Sequence, residues 1–365
     1  WPTSSIFPCL VKSDRLLAFG EQSWATDFGD IDNDGDMDCF VGNHGSRSAL
    51  MRNDGNGTFT NVTSAGGMSG VTWRVIQLVF RDFNNDGWVD LLLSGERHEL
   101  LLNDQDGTFT KASNPFSSNS VESFAVGDLN TDGFTDVYAG YAKLYNTPET
   151  SRPDKLFLSS PNTNGFLSVR LLGESPNTNG IGARLELQGS WSTQLRDVKA
   201  GESYGISHSP TQIFGMGNVV QADRLTIRWP SGVVDEVNNV SPNQFLEMPE
   251  GGTALPSLAD PGAQTNQVDD LISLTLAASD PTDDLLTYSA LNLPPGLSIG
   301  PSTGNISGTL GGTSQGNYSV ILRVSDPWNT VSRTISWDVL EADQPPAAVL
   351  STASPQVTGP FDVQI

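Results

Sequence analysis

The chain has 365 residues, 37% of them hydrophobic, with 37 Gly, 22 Pro and a net charge of −23. That length leaves room for roughly two to four domains with a core in each, which excludes disorder throughout, and the acidity opposes contact with nucleic acid or anionic lipid. No apolar run approaches the ~18 residues of a membrane span, and the two cysteines, Cys9 and Cys39, are open to a disulfide or to free thiols.

Short β-prone runs punctuated by Gly and Pro, with few helix-forming stretches, predict an all-β chain. From Asp30 onward one nine-residue pattern occurs three times, its starts separated by 52 and then 46 residues. The first copy carries Asp30, Asp32, Asp34, Asp36 and Asp38; the second Asp82, Asn84, Asp86, Trp88 and Asp90; the third Asp128, Asn130, Asp132, Phe134 and Asp136. Positions 1, 3, 5 and 9 are always Asp or Asn, position 6 is always Gly (Gly35, Gly87, Gly133), and position 7 varies. A calcium loop takes side-chain oxygens at 1, 3, 5 and 9 and only a backbone carbonyl at 7, so among the ligand positions the residue type is free at 7 alone. Asp-Gly turns alone explain the glycine; they give no reason for an acid at positions 1 and 9, and three copies favour about three structural Ca²⁺ ions.

An EF-hand needs flanking helices and a Glu at position 12. Here Val41, Leu93 and Ala139 stand at that position, inside the runs Cys39–Gly42, Leu91–Ser94 and Val137–Gly140, which read as buried strands. Each of the first two is followed by a second strand and a Gly-rich hairpin closing on Gly-Thr-Phe-Thr, at Gly57–Thr60 and Gly107–Thr110; the third is reduced to Leu156–Ser160. A unit of ~40–50 residues made of strands and turns is the size of one propeller blade.

On these residues the segment from about Trp24 to Leu158 resembles the FG-GAP/VCBS repeats, the calcium-bearing blades of integrin-type β-propellers. The resemblance implies a partial β-propeller over residues 1–163, with residues 1–23 part of an incomplete preceding blade. Because a closed ring usually takes about seven blades, further blades are expected upstream.

Residues 164–250 form a β-rich unit with strands expected at Phe166–Leu172, Ala183–Leu187, Gln194–Lys199, Arg224–Trp229 and Phe245–Met248. Asn179–Arg184, Phe214-Gly215-Met216-Gly217, Asp223–Gly232 and Asn243-Gln244-Phe245 are similar, in order, to the UnbV/ASPIC domain of cartilage-acidic-protein-like chains. Residues 256–341, with strands expected at Leu271–Ala278, Leu285–Leu291, Asn305–Gly308, Tyr318–Ser325 and Thr330–Val339, suggest an Ig-like or cadherin-like β-sandwich. Pro294–Ile299 and Thr303–Thr309 resemble the bacterial putative-Ig module. Residues 345–365 read as the start of a further Ig-like domain.

Gly201-Glu202-Ser203-Tyr204-Gly205 satisfies the G-x-S-x-G nucleophile pattern, but Ile206–Pro210 does not continue as the helix that motif requires. His44, His98 and His208 lie near no recognisable nucleophile, and His44 and His98 read as polar loop residues. No catalytic residue is expected. Trp24, Trp73, Trp88, Trp191 and Trp229 invite a sugar-stacking reading, though packing accounts for them better. The sequence therefore points to a secreted or cell-surface calcium-binding adhesion protein with an unidentified protein or glycan ligand. Millimolar calcium outside cells supports the extracellular address. The alternative is a carbohydrate-binding accessory region of a larger secreted enzyme.

Overall fold

The computed structural model describes residues 23–44, 47–113, 116, 123–144, 147–148, 151, 153–174, 177–252, 255–280, 283–327 and 329–342. Cys9, the residues expected to form a preceding blade, and the expected start of a further domain at 345–365 lie outside them. No helix occurs among the described residues.

Three antiparallel meanders come first. β1 (Ser23–Gly29), β2 (Asp38–Asn43), β3 (Ala49–Asn53) and β4 (Phe59–Asn61) form one sheet in chain order; β5 (Val75–Arg81), β6 (Asp90–Gly95), β7 (Glu99–Asn103) and β8 (Phe109–Lys111) form the next. In the third, β9 (Ser123–Gly127) and β10 (Asp136–Gly140) are joined by β13 (Lys155–Phe157), after a small pair of β11 (Ala142–Leu144) and β12 (Thr147–Pro148). Nearly every residue of β2, β5 and β6 is buried, because these sheets are covered on both faces. Leu78 and Phe80 of β5 pack with Ala25, Phe40 and Leu50 of the first meander, while Val79, on the opposite face, packs with Phe124, Val126 and Val137 of the third. The meanders thus stand face to face in a row, and among the described residues they close no ring. Cys39 is buried with Val41, Ala49 and Met51.

The next unit is built from β14 (Gly165–Leu172), β15 (Arg184–Gln188), β16 (Thr193–Asp197), β17 (Gln212–Gly217), β18 (Ala222–Arg228), β19 (Val234–Val240) and β20 (Gln244–Pro249). Sheet β16-β15-β18-β19 faces strands β17, β14 and β20, burying Leu185, Leu187, Leu225 and Ile227 against Leu167, Val169, Phe214 and Met248. The last unit adds β21 (Ser257–Leu258), β22 (Gln264–Gln267), β23 (Leu271–Thr275), β24 (Ala278–Ser279), β25 (Thr287–Leu291), β26 (Leu297–Ile299), β27 (Asn305–Thr309), β28 (Gly316–Ser325) and β29 (Thr330–Leu340). Strand β20 pairs with β29, so one sheet, β17-β14-β20-β29-β28-β25, runs through both units. Fully buried Trp337 donates its indole N–H to Asn266 Oδ1 at 3.1 Å.

The Gly201–Gly205 segment sits along the meanders. An inner strand leaves every second N–H unpaired on its free edge, and here side chains take them. Ser203 Oγ accepts from Leu78 N (2.9 Å), Asp27 Oδ2 from Phe80 N (3.0 Å), Gln77 Oε1 from Phe124 N (3.0 Å) and His208 Nδ1 from Val126 N (3.2 Å). Beneath them Glu202 is held by Arg81 at 3.0 and 2.6 Å, with Lys199 between Glu202 (3.3 Å) and Asp27 (2.6 Å). Burial opposes the Glu202 carboxylate, but the Arg81 guanidinium, its hydrogen bonds and Lys199 outweigh it and hold the group at about 2. Removing one partner of a buried pair leaves the other uncompensated. Glu202→Gln should therefore lower unfolding free energy by about 3–5 kcal/mol, read from urea denaturation, and an unchanged midpoint would show the pair to be dispensable.

Candidate metal centre

Each nine-residue loop links the first strand of a meander to its second, and the same hydrogen bonds recur in all three. The carboxylate at position 1 uses both oxygens on the backbone of the turn. Asp30 accepts from Asp34 N and Gly35 N at 3.1 Å each, Asp82 from Asp86 N (3.2 Å) and Gly87 N (2.8 Å), and Asp128 from Asp132 N (3.1 Å) and Gly133 N (2.8 Å). The carboxylate at position 9 ties the loop start to the third strand position. Asp38 accepts from Ile31 N (2.8 Å) and Asn53 N (2.7 Å), Asp90 from Phe83 N (2.8 Å) and Asn103 N (2.9 Å), Asp136 from Leu129 N and Ser159 N (2.8 Å each). An Asn offers one acceptor oxygen and turns an NH₂ toward the second donor. Acids at 1 and 9 therefore have work in the fold with or without a cation, which corrects the expectation that turn chemistry gives them none.

Position 6 takes φ of +94°, +96° and +84° at Gly35, Gly87 and Gly133, where any side chain is strained. Position 4 is also left-handed, at Asn33 (53°), Asn85 (57°) and Thr131 (59°). Asn33 Nδ2 donates to the Gly87 carbonyl (3.1 Å) and Asn85 Nδ2 to that of Gly133 (3.0 Å), so each loop is fastened to position 6 of the next. Position 4 is not among the expected ligand positions, and the Asn shared by the first two copies is the one signal of its role.

The oxygen donors converge best in the first loop. Ligand oxygens of Asp30, Asp32 and Asp38 lie within 4.8 Å of one another, and Asp32 Oδ1 is buried with no hydrogen-bond partner. Asp34 is exposed and its Oδ1 accepts from Asp36 N (2.9 Å). In the second loop Asp82 and Asp90 are buried, and Asp86 Oδ2 is met by Asn84 Nδ2 (3.1 Å) and Gln105 Nε2 (3.2 Å) while its Oδ1 accepts from Trp88 N. The third is alike: Asn130 Nδ2 meets Asp132 Oδ2 (2.8 Å), and Asp132 Oδ1 accepts from Phe134 N. Side-chain amides thus stand beside the position 5 carboxylate where the first loop has only acids.

The 164–250 unit packs onto these loops. Gly217 N donates to Asn85 O (2.9 Å), and a Cβ at Gly215 would lie 2.0 Å from Asp82 Oδ2 and 2.4 Å from the Asn85 carbonyl carbon. Only glycine permits that approach. Gln194 Nε2 donates to Gly215 O (2.7 Å), and Gly133 packs against the ring of Phe166. His98, expected in a polar loop, is 5% exposed and meets Phe116 edge-on at 5.2 Å; the turn after β6 is covered, which its sequence did not reveal.

Residues 30–93 and 82–139 match the family model "FG-GAP-like repeat", 173–255 match "ASPIC and UnbV", and 255–340 match "Putative Ig domain". The order is FG-GAP-like repeats, then ASPIC/UnbV, then Ig. No curated protein matches the chain. Among solved structures, a "putative alpha-galactosidase" from Bacteroides fragilis NCTC 9343 is 25% identical over 23% of this chain and 17% of its own, with a TM-score of 0.21. Drosophila N-cadherin EC1-3 is 11% identical over 73% and 89% at a TM-score of 0.21, and a glycoside hydrolase family 107 endo-fucoidan hydrolase 14% over 75% and 41% at 0.22. TM-scores this low carry no argument about fold or chemistry.

The ASPIC/UnbV segment brings a guanidinium to the FG-GAP-like loops. Arg196 is 6% exposed, lies 5.2 Å from the Phe214 ring, and donates to Leu195 O and Gln194 Oε1. Burial pushes it down to about 10, and the carboxylates of Asp82, Asp30 and Asp90 pull the other way. Burial dominates the acids too: it raises Asp30, Asp38 and Asp82 to about 7 and Asp128 to about 6, from an ordinary 3.8. In the ion-free protein the folded form keeps protons that the unfolded chain releases, so these groups lower stability as pH rises from about 4 to about 7. A cation competes with those protons. The rise in Tm on adding calcium should accordingly be larger near pH ~7.5 than near pH ~5.5; an equal or smaller rise at the higher pH would contradict this electrostatic account.

Proposed function

We propose that this chain is a secreted or cell-surface calcium-binding adhesion or interaction protein, with its three meanders successive blades of a β-propeller and its ions structural. The observation that carries the reading is the first loop, where Asp30 and Asp38 are fully buried, Asp32 leaves a buried oxygen unpartnered, and all three converge. Buried carboxylates this close are neutralised by protons or by a cation, and at neutral pH and millimolar calcium the cation wins. Asp30, Asp32, Asp34 and Asp38 with the Asp36 carbonyl would hold the first ion. Asp82, Asn84, Asp86, Asp90 and the Trp88 carbonyl would hold the second, and Asp128, Asn130, Asp132, Asp136 and the Phe134 carbonyl the third. Each ion supplies charge neutralisation at the entry to a second strand, so its removal loosens the meander rather than stopping a reaction.

Three features support a binding role without catalysis in this chain. FG-GAP-like, ASPIC/UnbV and Ig segments are not catalytic kinds. Ser203 Oγ is committed to a backbone N–H. His208, with Nδ1 accepting from Val126 N, is pushed down to about 4 by burial and by Arg81, hence neutral at physiological pH. An extracellular address accords with weak calcium loops, and no helix among the described residues is long and apolar enough to cross a membrane. We divide the chain into repeats to 163, ASPIC/UnbV at 164–250 and the Ig-like sandwich at 256–341, and take its partner to be a protein or glycan.

Chelation with EGTA should lower Tm by at least several degrees relative to millimolar calcium. Replacing Asp30, Asp32 and Asp34 together by Ala should reduce the titrated stoichiometry by about one ion of about three. A melt indifferent to chelation, or a variant that still binds the wild-type number of ions, would remove the calcium reading.

A further inference from the structure

A cavity of about 250 Å³ lies where the third loop meets the sheet shared by the last two units, and nothing above uses it. Its floor is one face of that sheet. Ser168, Phe245, Ser332 and Arg323 stand in register across β14, β20, β29 and β28, so their side chains emerge together. Arg170, Glu247 and Thr330 form the next row, two residues along each strand. Asp128 and Thr131 of the third loop make the roof, and Ser209 and Thr211 close one side. The roof is fastened to the floor by Thr334 Oγ1, which donates to Thr131 O at 3.3 Å.

The polar groups on this surface are unequally satisfied. Arg170 and Glu247 pair at 2.9 Å and cancel, and Asp128 accepts from two backbone N–H groups. Arg323 Nε, by contrast, is buried without a partner, and Ser168, Thr211 and Ser332 bring hydroxyls to the same cavity, Ser168 and Ser332 being 4% and 7% exposed. A buried donor left unmatched costs about 1–3 kcal/mol, and the Arg323 guanidinium with three hydroxyls lining the same cavity suits a guest rich in acceptors. Phe245, edge-on to Phe166 at 5.0 Å, gives one apolar wall. The volume falls below the ~300 Å³ at which pockets for drug-sized ligands begin, which limits the occupant to about one ring.

We propose that this cavity binds a single carboxylate-bearing sugar residue, a uronic acid, with its carboxylate on Arg323, its hydroxyls on Ser168, Thr211 and Ser332, and its ring against Phe245. Guanidinium donors match a carboxylate in geometry and charge. The net charge of −23 disfavours a polyanionic stretch, so the uronic acid would be an isolated or terminal unit of an otherwise neutral glycan. This specifies the glycan arm of the adhesion reading and rests on it; because Asp128 of the proposed third ion site also roofs the cavity, glucuronate is titrated at fixed millimolar calcium, so that its outcome is read apart from the effect of chelation.

Saturation-transfer NMR on the full chain with D-glucuronate, methyl glucoside and acetate tests it. Glucuronate should saturate at about millimolar concentration, with methyl glucoside and acetate each about tenfold weaker or more. Arg323→Gln and the smaller change Ser332→Val should each weaken glucuronate about tenfold while melting like the wild type; should Arg323→Gln fail to fold, Ser332→Val decides alone. Absence of saturable glucuronate binding, equal binding of methyl glucoside or acetate, or binding unchanged in a folded variant would overturn the proposal, the cavity then holding only water.

Discussion

The repeats depend on one arrangement: a carboxylate whose two oxygens each accept a backbone N–H, placed at both ends of a nine-residue turn. The Asp at position 1 shapes the turn, and the Asp at position 9 joins the turn to the strand two places further on. Both need a carboxylate because an amide has one acceptor oxygen. Positions 3 and 5 lack this double duty, and position 3 is Asp32 in one copy but Asn84 and Asn130 in the others. The fold therefore forces acids into places without water, at Asp30, Asp38, Asp82, Asp90 and Asp136. The cation proposed between them would solve a charge problem that the hydrogen bonding creates.

Face-to-face packing follows from the same geometry. Because each loop is pinned at both ends, position 4 is held at positive φ and can reach the carbonyl at position 6 of the next loop. The ASPIC/UnbV segment reads this row of loops as a surface: Gly215 admits its backbone against Asp82 and Asn85, and Arg196 adds an internal positive charge. Ser203 of its Gly201–Gly205 segment accepts a free N–H of β5, so the serine that mimics a nucleophile serves as a hydrogen-bond cap. Through the pairing of β20 with β29 the Ig-like sheet becomes an extension of the same body. Junctions between units, more than clefts within them, offer the polar surfaces on which a ligand would settle.

Local pattern made much of this legible. The runs after each loop proved to be β2, β6 and β10, because continuous apolar residues bounded by Gly or Ser mark strands; β2 and β6 are buried on both faces, whereas β10 turns Tyr138 to solvent. Strand β17 carries Phe214–Gly217, a stretch similar to the UnbV/ASPIC domain but outside the expected strands; Gly215 there serves close approach to a distant loop. Strand β19, Val-Asp-Glu-Val-Asn-Asn-Val, is too polar to stand out and gains its place by pairing with β18. Of the candidate ligands, the structure brings Asp30, Asp32 and Asp38 together, as their spacing suggests. The buried Arg196 and the tasks of Asn33, Asn85 and Ser203 arise from contacts far apart in sequence, which no local pattern encodes.

The most direct test of the account is to see the ions. Anomalous scattering from crystals grown with calcium, and again with terbium in its place, should show one peak in each loop: between Asp30, Asp32 and Asp38, between Asp82, Asp86 and Asp90, and between Asp128, Asp132 and Asp136. Loops that keep the hydrogen bonds described above and show no peak at saturating metal would contradict it, leaving the acids as purely structural acceptors.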